Sequence, residues 1–279
     1  MKFDWGFKTY VMGIVNATPD SFSGDGIMSV KEAVERGQRM AAEGADILDI
    51  GGESTRPGSE PISLEEELDR VIPVIQGLSQ SVDIPLSIDT YKAEVARQAV
   101  VAGATIINDV WAGRREPEIL KVVGETGAHI VLMHNRSNES EESQNEKLGG
   151  RYVHVEYAEL LTDIKKELQD AVDAGLAAGI KKENIILDPG IGFGKTVEQN
   201  LEIVRRLAEL KELGLPILVG PSRKSFVGYT LDLPPEDRLE GTLAAVTLCI
   251  ERGADIVRVH EVSQVSRAVR FTDAVVRKK

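Results

Sequence analysis

The sequence has one cysteine in 279 residues, Cys249, so a disulfide framework within the chain is excluded. Cys249 lies in the apolar helical pattern TLAAVTLCIERG, which predicts a buried packing thiol rather than a nucleophile. Positive charge is in deficit, the formal net charge being -12, and no long Lys/Arg run occurs. This argues against binding to a nucleic-acid backbone, where affinity comes from cations displacing counterions. An anionic ligand must then meet a local basic site. No apolar run approaches the roughly 20 residues that span a bilayer. The N-terminal MKFDWGFK lacks the apolar region of a signal peptide, so a cytoplasmic protein with no membrane partner is expected. The four histidines, at 129, 134, 154 and 260, do not fall in a zinc spacing. DPGIGFGKT (188–196) fails as a Walker A loop, because three residues rather than four separate Gly190 from Gly194 and Pro189 stands where glycine is needed. GPSRKS is not a GxSxG nucleophile elbow, since no glycine follows Ser222 by two.

What is present is a repeated phrase. EGADILDI (43–50), AGATIINDV (102–110), TGAHIVLMH (126–134) and RGADIVRVH (252–260) each end a helical pattern on Gly-Ala and continue into an apolar, β-rich run. Glycines 44, 103, 127 and 253 suit the left-handed conformation that stops a helix, and the run after each predicts a buried strand. YVMGIVN (10–16), IPLSIDT (84–90), NIILDPG (184–190) and PILVGPS (216–222) bring the strand candidates to eight. Amphipathic helical segments alternate with them. Two open in capping-box spacing, at Ser29/Glu32 and Ser63/Glu66, and VEQNLEIVRRLAELKELG reads as one continuous helix. Strands without clear period-two alternation suit a parallel sheet covered by helices. Eight such units in a chain of 279 residues predict a single-domain (β/α)8 TIM barrel over 1–279, with a doubly wound open sheet as the alternative. The polar stretch NRSNESEESQNEKLGG (135–150) is expected to be a solvated loop.

In a barrel the strand C-terminal ends share one mouth, where barrel enzymes carry their sites. Those ends carry Asn16; Thr55 and Arg56; Asp89; Asn108 and Asp109; Met133 and His134; Asp188; Ser222, Arg223, Lys224 and Ser225; and Arg258 with His260. Arg56, Lys224, Arg258 and His260 supply positive charge for a phosphate or carboxylate. Asp89, Asn108 and Asp188 supply acceptors and an amide for a flat heterocycle with several N–H edges. Asn16, Asp20 and neighbouring hydroxyls offer hard oxygens for magnesium, which bridges few protein ligands to substrate phosphates. The glycines of DPGIGFGKT suggest close ligand approach, with Phe193 free to pack on an aromatic ring. A histidine at the start of a strand, as His129 is, reads as structural; His260, beside Arg258, reads as functional.

The segments GIVNATPDSFSGDG, DILDIGGESTRPG, PLSIDTYK, IINDVWAG, DPGIGFGKT, GPSRKSFVG and RVHEV, in that order, resemble the dihydropteroate synthases over essentially the whole chain. The resemblance implies a (β/α)8 barrel, usually homodimeric, that joins 6-hydroxymethyl-7,8-dihydropterin diphosphate to p-aminobenzoate, with Mg2+ present and diphosphate released. It also implies a target of sulfonamides, which compete for the aminobenzoate site. On this resemblance Asn16 is the metal ligand, and Arg258 and His260 hold the diphosphate. Asp89, Asn108, Asp188 and Lys224 line the pterin pocket with Met133 against the ring, and Thr55, Arg56, Pro57, Phe193 and Ser225 frame the aminobenzoate. Lys224, Arg258, His260 and Asp89 are the expected catalytic set, and loops 17–26 and 52–60 are expected to close over the reactants. Two departures stand out: HNRSNES after strand five, where the family often has Met-Gln-Gly-type residues, and Glu261 where Asp is common. A corrinoid methyltransferase-type pterin-binding barrel is the alternative function, and a Schiff-base aldolase using Lys224 is a second rival.

Overall fold

The computed structural model describes residues 3–17, 30–54 and 61–277. Ten strands and nine α-helices are found among them, in the order β1 (Tyr10–Asn16), α1 (Val30–Ala42), β2 (Ile47–Gly51), α2 (Leu64–Ser79), β3 (Leu86–Asp89), α3 (Ala93–Ala102), β4 (Ile106–Asp109), α4 (Glu118–Thr126), β5 (His129–Met133), β6 (Glu142–Ser143), β7 (Arg151–Tyr152), α5 (Leu160–Ala177), β8 (Ile185–Asp188), α6 (Val197–Arg206), β9 (Leu218–Val219), α7 (Ser225–Leu231), α8 (Leu239–Glu251), β10 (Ile256–Val259) and α9 (Val262–Val276). Eight parallel strands run side by side as β8-β5-β4-β3-β2-β1-β10-β9. The two end strands then meet: a parallel bridge joins Leu187 to Ile217, and the Leu187 amide donates to the Pro216 carbonyl at 2.9 Å. That closure rules out the open doubly wound sheet. No helix among the described residues is long and apolar enough to cross a membrane.

The strands do alternate, but between two dry environments, which is why no polar period is visible in the sequence. Met12, Ile47, Ile106, Val131, Ile186, Leu218 and Ile256 point inward and form the barrel's lower core. Their neighbours, among them Val11, Leu48, Ile107, Ile130, Leu187 and Val257, belong to the larger core under the helices. Phe3 and Trp5 pack against the inner cluster, their rings stacked at 4.4 Å, and Phe3 meets His129 edge-on at 5.3 Å. His129 is therefore part of an aromatic plug at the end of the barrel away from the mouth, and its burial lowers its pKa.

Chain reversals follow the sequence signals in most places. Glycines 44, 103, 127 and 253 all take positive φ at the helix-to-strand junctions. Ser63 caps α2 by accepting from the Glu66 amide at 3.1 Å, whereas Ser29 lies outside the described residues. A capping box with both reciprocal bonds opens α6 at Thr196 and Gln199, a site not anticipated from sequence. The helix expected to run from 197 onward divides: α6 ends at Arg206, and a 3-10 segment, Leu207–Leu213, continues to Gly214. Cys249 is buried, and burial pushes its thiol up to about 12, so it is a packing residue.

The 135–150 stretch is more ordered than its polarity suggests. It carries a 3-10 turn, Glu139–Glu141, and pairs through β6 with β7 in a short antiparallel ladder. Arg238, 2% exposed, ties it to the barrel by donating to the carbonyls of Leu148 at 2.9 Å and Arg223 at 2.9 Å. Tyr229 adds a bond to the Gly149 carbonyl at 3.1 Å. Residues 144–147 are exposed, whereas Asn135 is buried and donates to the Val110 carbonyl at 3.0 Å.

Gly194 shows how tightly the strand-end loops are packed. Its φ is 60°, and a Cβ there would lie 2.2 Å from the backbone carbon of Arg136. Gly194→Ala should therefore lower stability by about 3 kcal/mol or more, the sum of left-handed strain and overpacking against rigid backbone. The denaturant midpoint measures this, and a surface glycine with open space around it, Gly214→Ala, should cost the strain alone.

Candidate active site

The mouth of the barrel is built around charges that sit inside it. Arg258 projects inward from β10; its Nε donates to Oδ2 of Asp49 at 2.6 Å and its Nη2 to Oδ2 of Asp89 at 2.6 Å. Asp49 also accepts from Nδ2 of Asn108 at 3.0 Å. Four residues from β2, β3, β4 and β10 thus form one connected polar layer above the apolar inner core. Asp49 is wholly buried, Asn108 and Asp89 nearly so, and the second oxygens, Oδ1 of Asp49 and Asp89, are buried without a hydrogen-bond partner. Burial pushes Asp89 up to about 7 against the pull of Arg258, with Asp49 and Glu67 adding to the rise. Burial also disfavours the Arg258 charge, but Asp49 and Asp89 outweigh it and hold the guanidinium above its ordinary value.

Across the mouth stands the wall formed after β8. Asp188 is nearly buried; its Oδ1 accepts from the Gly190 amide at 2.7 Å. Burial raises its pKa to about 6, opposed by that bond and by the charges of Lys224, Lys195 and Arg258. Lys224 places its ammonium 3.9 Å from the centre of the Phe193 ring, a cation–π contact that links the loop after β9 to the loop after β8. Ser225 heads α7 immediately beyond. Met133, buried at the end of β5, pairs in register with Asp188 and so borders the same wall.

A third group closes the rim between β9 and β10. Nδ1 of His260 lies 3.0 Å from Oγ of Ser222, which also accepts from the His260 amide at 3.2 Å. Glu261 receives the Ser222 hydroxyl at 3.3 Å and forms an ion pair with Arg223, whose φ is 57°. Glu261 is thus the clamp on the 222–223 turn. Arg223 is engaged by Glu261 and belongs to the rim.

Placement of the sequence candidates divides cleanly. Asp89, Asn108, Met133, Asp188, Phe193, Lys224, Ser225, Arg258 and His260 all lie on strand ends or loops at the mouth, as does Asn16 at the end of β1. Thr55, Arg56 and Pro57 lie outside the described residues, together with Asp20 and most of the two loops expected to close. Asp109 faces the other way: its carboxylate accepts from the amides of Trp111 at 2.8 Å and Gly113 at 2.5 Å, so it shapes a turn. His134 is behind the wall rather than in the mouth, against Lys195 at 2.9 Å. The glycines of DPGIGFGKT serve protein contacts: a Cβ at Gly190 would lie 1.9 Å from the His134 carbonyl oxygen, and one at Gly192 would lie 2.9 Å from Cδ of Lys224. Asp49 was missed, although an acid between two apolar residues in DILDI is the kind of break in a buried strand that signals a polar interior.

The arrangement suits a ligand with two characters. Asp188 and the unpartnered oxygens of Asp89 and Asp49 offer acceptors deep in the mouth, with Arg258 in the same layer, while Lys224 and His260 stand on the loops around it. For a metal, no three His, Cys, Asp or Glu side chains converge among the described residues. A tight protein-only cage is therefore absent from them. The single amide oxygen of Asn16, partly exposed at the end of β1, fits a magnesium ion that keeps waters and takes its remaining ligands from a substrate phosphate.

Residues 12–260 match the family model described as pterin binding enzyme. The chain is 48% identical over 279 residues to the dihydropteroate synthase of Clostridium beijerinckii, covering 99% of this chain and 98% of that relative. The crystal structure of dihydropteroate synthase from Clostridium difficile, determined in the presence of pteroic acid, superposes with a TM-score of 0.90 at 47% identity, covering 99% of this chain and 100% of that one. The enzyme from Xanthomonas albilineans in complex with 7,8-dihydropteroate gives 0.84 at 41% identity, covering 96% and 94%. Similarity at this level extends over nearly the whole chain, and on it the chain belongs to the dihydropteroate synthase family of pterin binding enzymes.

Proposed function

We propose that this chain condenses 6-hydroxymethyl-7,8-dihydropterin diphosphate with p-aminobenzoate to give 7,8-dihydropteroate and diphosphate. The observation that carries the reading is the pairing, in one mouth, of buried acceptors on Asp188, Asp89 and Asp49 with the cations Arg258 and Lys224. The amino-pyrimidinone edge of a pterin presents an N–H beside an NH2, and an ionised carboxylate at Asp188 accepts both. Asn108 and Asp89 take the remaining polar edge, Met133 covers a ring face, and Lys224 is held beside the ring by Phe193. The diphosphate lies outward, toward His260 and the Nη1 side of Arg258, whose other two nitrogens are taken by Asp49 and Asp89. Phe193, Ser225, Thr55, Arg56 and Pro57 frame the aminobenzoate.

In the reaction the aminobenzoate nitrogen forms a bond to the pterin methylene carbon, the bond from that carbon to the diphosphate oxygen breaks, and the electron pair leaves with the diphosphate. The amine then gives up one proton. Asn16 would hold magnesium, which supplies charge neutralisation to the diphosphate. The protein's own contribution is placement of two reactants and a fixed positive field at the leaving group. No covalent intermediate on the chain is required, and Lys224 acts by charge and packing. The homodimer implied by family resemblance belongs to the same proposal; Leu248, Phe271 and Val275, exposed on α8 and α9, are its supporting feature.

The direct test mixes the protein with magnesium, the pterin diphosphate and labelled p-aminobenzoate. Labelled dihydropteroate should form only when both substrates are present; none under any of these conditions would refute the assignment. A second expectation concerns pH. Protonation of Asp188 removes an acceptor and its charge, so pterin affinity should fall as pH drops through about 6 and level off above. Asp89, raised to about 7, titrates nearby, so the comparison that decides is Asp188→Asn. That variant should lose the Asp188 limb and bind pterin at least about tenfold to a hundredfold more weakly at pH 8, since hydrogen bonds to charged groups are worth about 1.5–3 kcal/mol each. Calorimetric titration across pH 5 to 8 reads both.

A further inference from the structure

Behind the Asp188 wall is a second polar cluster that the proposed chemistry does not use. Lys195, one of the largest buried side chains among the described residues, ends in the protein interior with 2% exposure. Its ammonium donates to the Phe193 carbonyl at 2.9 Å, reaches the His134 carbonyl at 3.4 Å, and meets Nδ1 of His134 at 2.9 Å. Three donors have three acceptors. The contact to Nδ1 requires that nitrogen to be an acceptor, so the proton of a neutral imidazole sits on Nε2, which lies 3.1 Å from the Glu167 carboxylate though out of hydrogen-bonding alignment. Glu167 in turn holds Arg136, whose guanidinium stacks on Tyr157 at 4.3 Å, and the Tyr157 hydroxyl returns to the Gly194 carbonyl at 2.8 Å.

This chain of contacts ties both ends of the 190–194 loop to the segment leaving β5. The loop begins at Asp188, whose carbonyl accepts from the His134 amide at 2.9 Å, and at its middle carries Phe193, on which Lys224 rests. A buried ammonium with no carboxylate in direct contact is costly unless every donor is bonded. Here the bonded groups are the Phe193 carbonyl in the loop and the carbonyl and Nδ1 of His134 in the segment leaving β5, so the ammonium joins the two.

We propose that Lys195 is a positioning residue for the pterin pocket: it pins the 188–194 loop to the end of β5, fixes Phe193 beneath Lys224, and gives Asp188 a positive neighbour on its protein side. The inference rests on the pterin reading of the site. Facing this cluster are Asp188 from β8, His134 beyond β5, Glu167 from α5, Arg136 and Arg114 from the flanking loops, Lys224 from the loop after β9, and Arg258 from β10. Burial lowers Lys195 to about 7, eased by Asp188 and Glu167, and lowers His134 to about 4, so the ammonium and the neutral imidazole coexist below neutrality.

The test compares the full-length parent with Lys195→Met, which keeps the volume but removes charge and donors, and Lys195→Gln, which keeps a donor. In folded Lys195→Met, pterin affinity should fall tenfold or more and the low-pH limb of pterin binding should move upward, because Asp188 loses a cation that favours its ionised form. The KM for p-aminobenzoate should also rise, because Phe193 borders that subsite, but by less than the loss of pterin affinity. Lys195→Gln should show the same upward movement with a smaller loss of affinity. A folded variant that binds pterin like the parent with an unmoved limb would overturn the proposal, as would equal losses for both substrates. Failure of the parent itself to bind pterin would instead overturn the functional reading. Should neither variant fold, the His134 imidazole of the parent, followed by NMR, decides: its resonances should shift when a pterin is added, and no response would overturn the proposal.

Discussion

The mouth of this barrel is organised by one half-buried arginine between two carboxylates. Arg258 reaches both Asp49 and Asp89 at 2.6 Å, and Asp49 passes the constraint to Asn108. Such an arrangement is a poor source of stability, because three charged groups taken out of water lose solvation that their attraction only partly returns. Its value lies in direction. With one oxygen of each acid committed to Arg258, the other is buried and unpartnered, so each acid is held in a fixed orientation with an acceptor to spare before any ligand arrives. An apolar core would be more stable and would bind nothing.

The same logic runs through the wall opposite. Asp188 is held by a backbone amide on a loop whose glycines let it lie against residues 134–137, and Lys195 bonds that loop from behind. Lys224 is then placed by an aromatic face, with Phe193 as its seat. The end of β5 and the glycine loop could not be moved independently, since β5 and β8 are neighbours, the His134 amide donates to the Asp188 carbonyl, and Lys195 bonds to both His134 and Phe193. Precision at the reacting atoms therefore comes from packed strands and backbone contacts, with the flexible cations arranged on top.

Much of this was legible in the sequence, and for physical reasons. Gly-Ala before each apolar run marks a helix stop and a strand start, and the four glycines do take positive φ. Polar residues at the ends of buried strands have few other uses, which is why Asp89, Asn108, Asp188 and Arg258 could be named. What was not legible depended on direction and on distant partners. Asn108 and Asp109 are adjacent in sequence, yet one faces the mouth and the other caps a turn. His134 ends a strand like its neighbours but turns behind the wall, and Asp49 lies two residues before its strand's end. The glycines of DPGIGFGKT read as ligand-facing, because what they press against is distant in the chain: His134 to Ser137, more than fifty residues earlier, for Gly190 and Gly194, and Lys224 for Gly192.

The central claim, that Asp49 and Arg258 act as a unit in setting the pocket, is tested most directly by a double-mutant cycle on pterin affinity with Asp49→Asn, Arg258→Gln and the double variant. If the two residues form one device, the double variant should lose markedly less than the sum of the single losses, with a coupling of at least about 1 kcal/mol. Losses that simply add would contradict the account, because they would mean that each residue meets the ligand independently of the other.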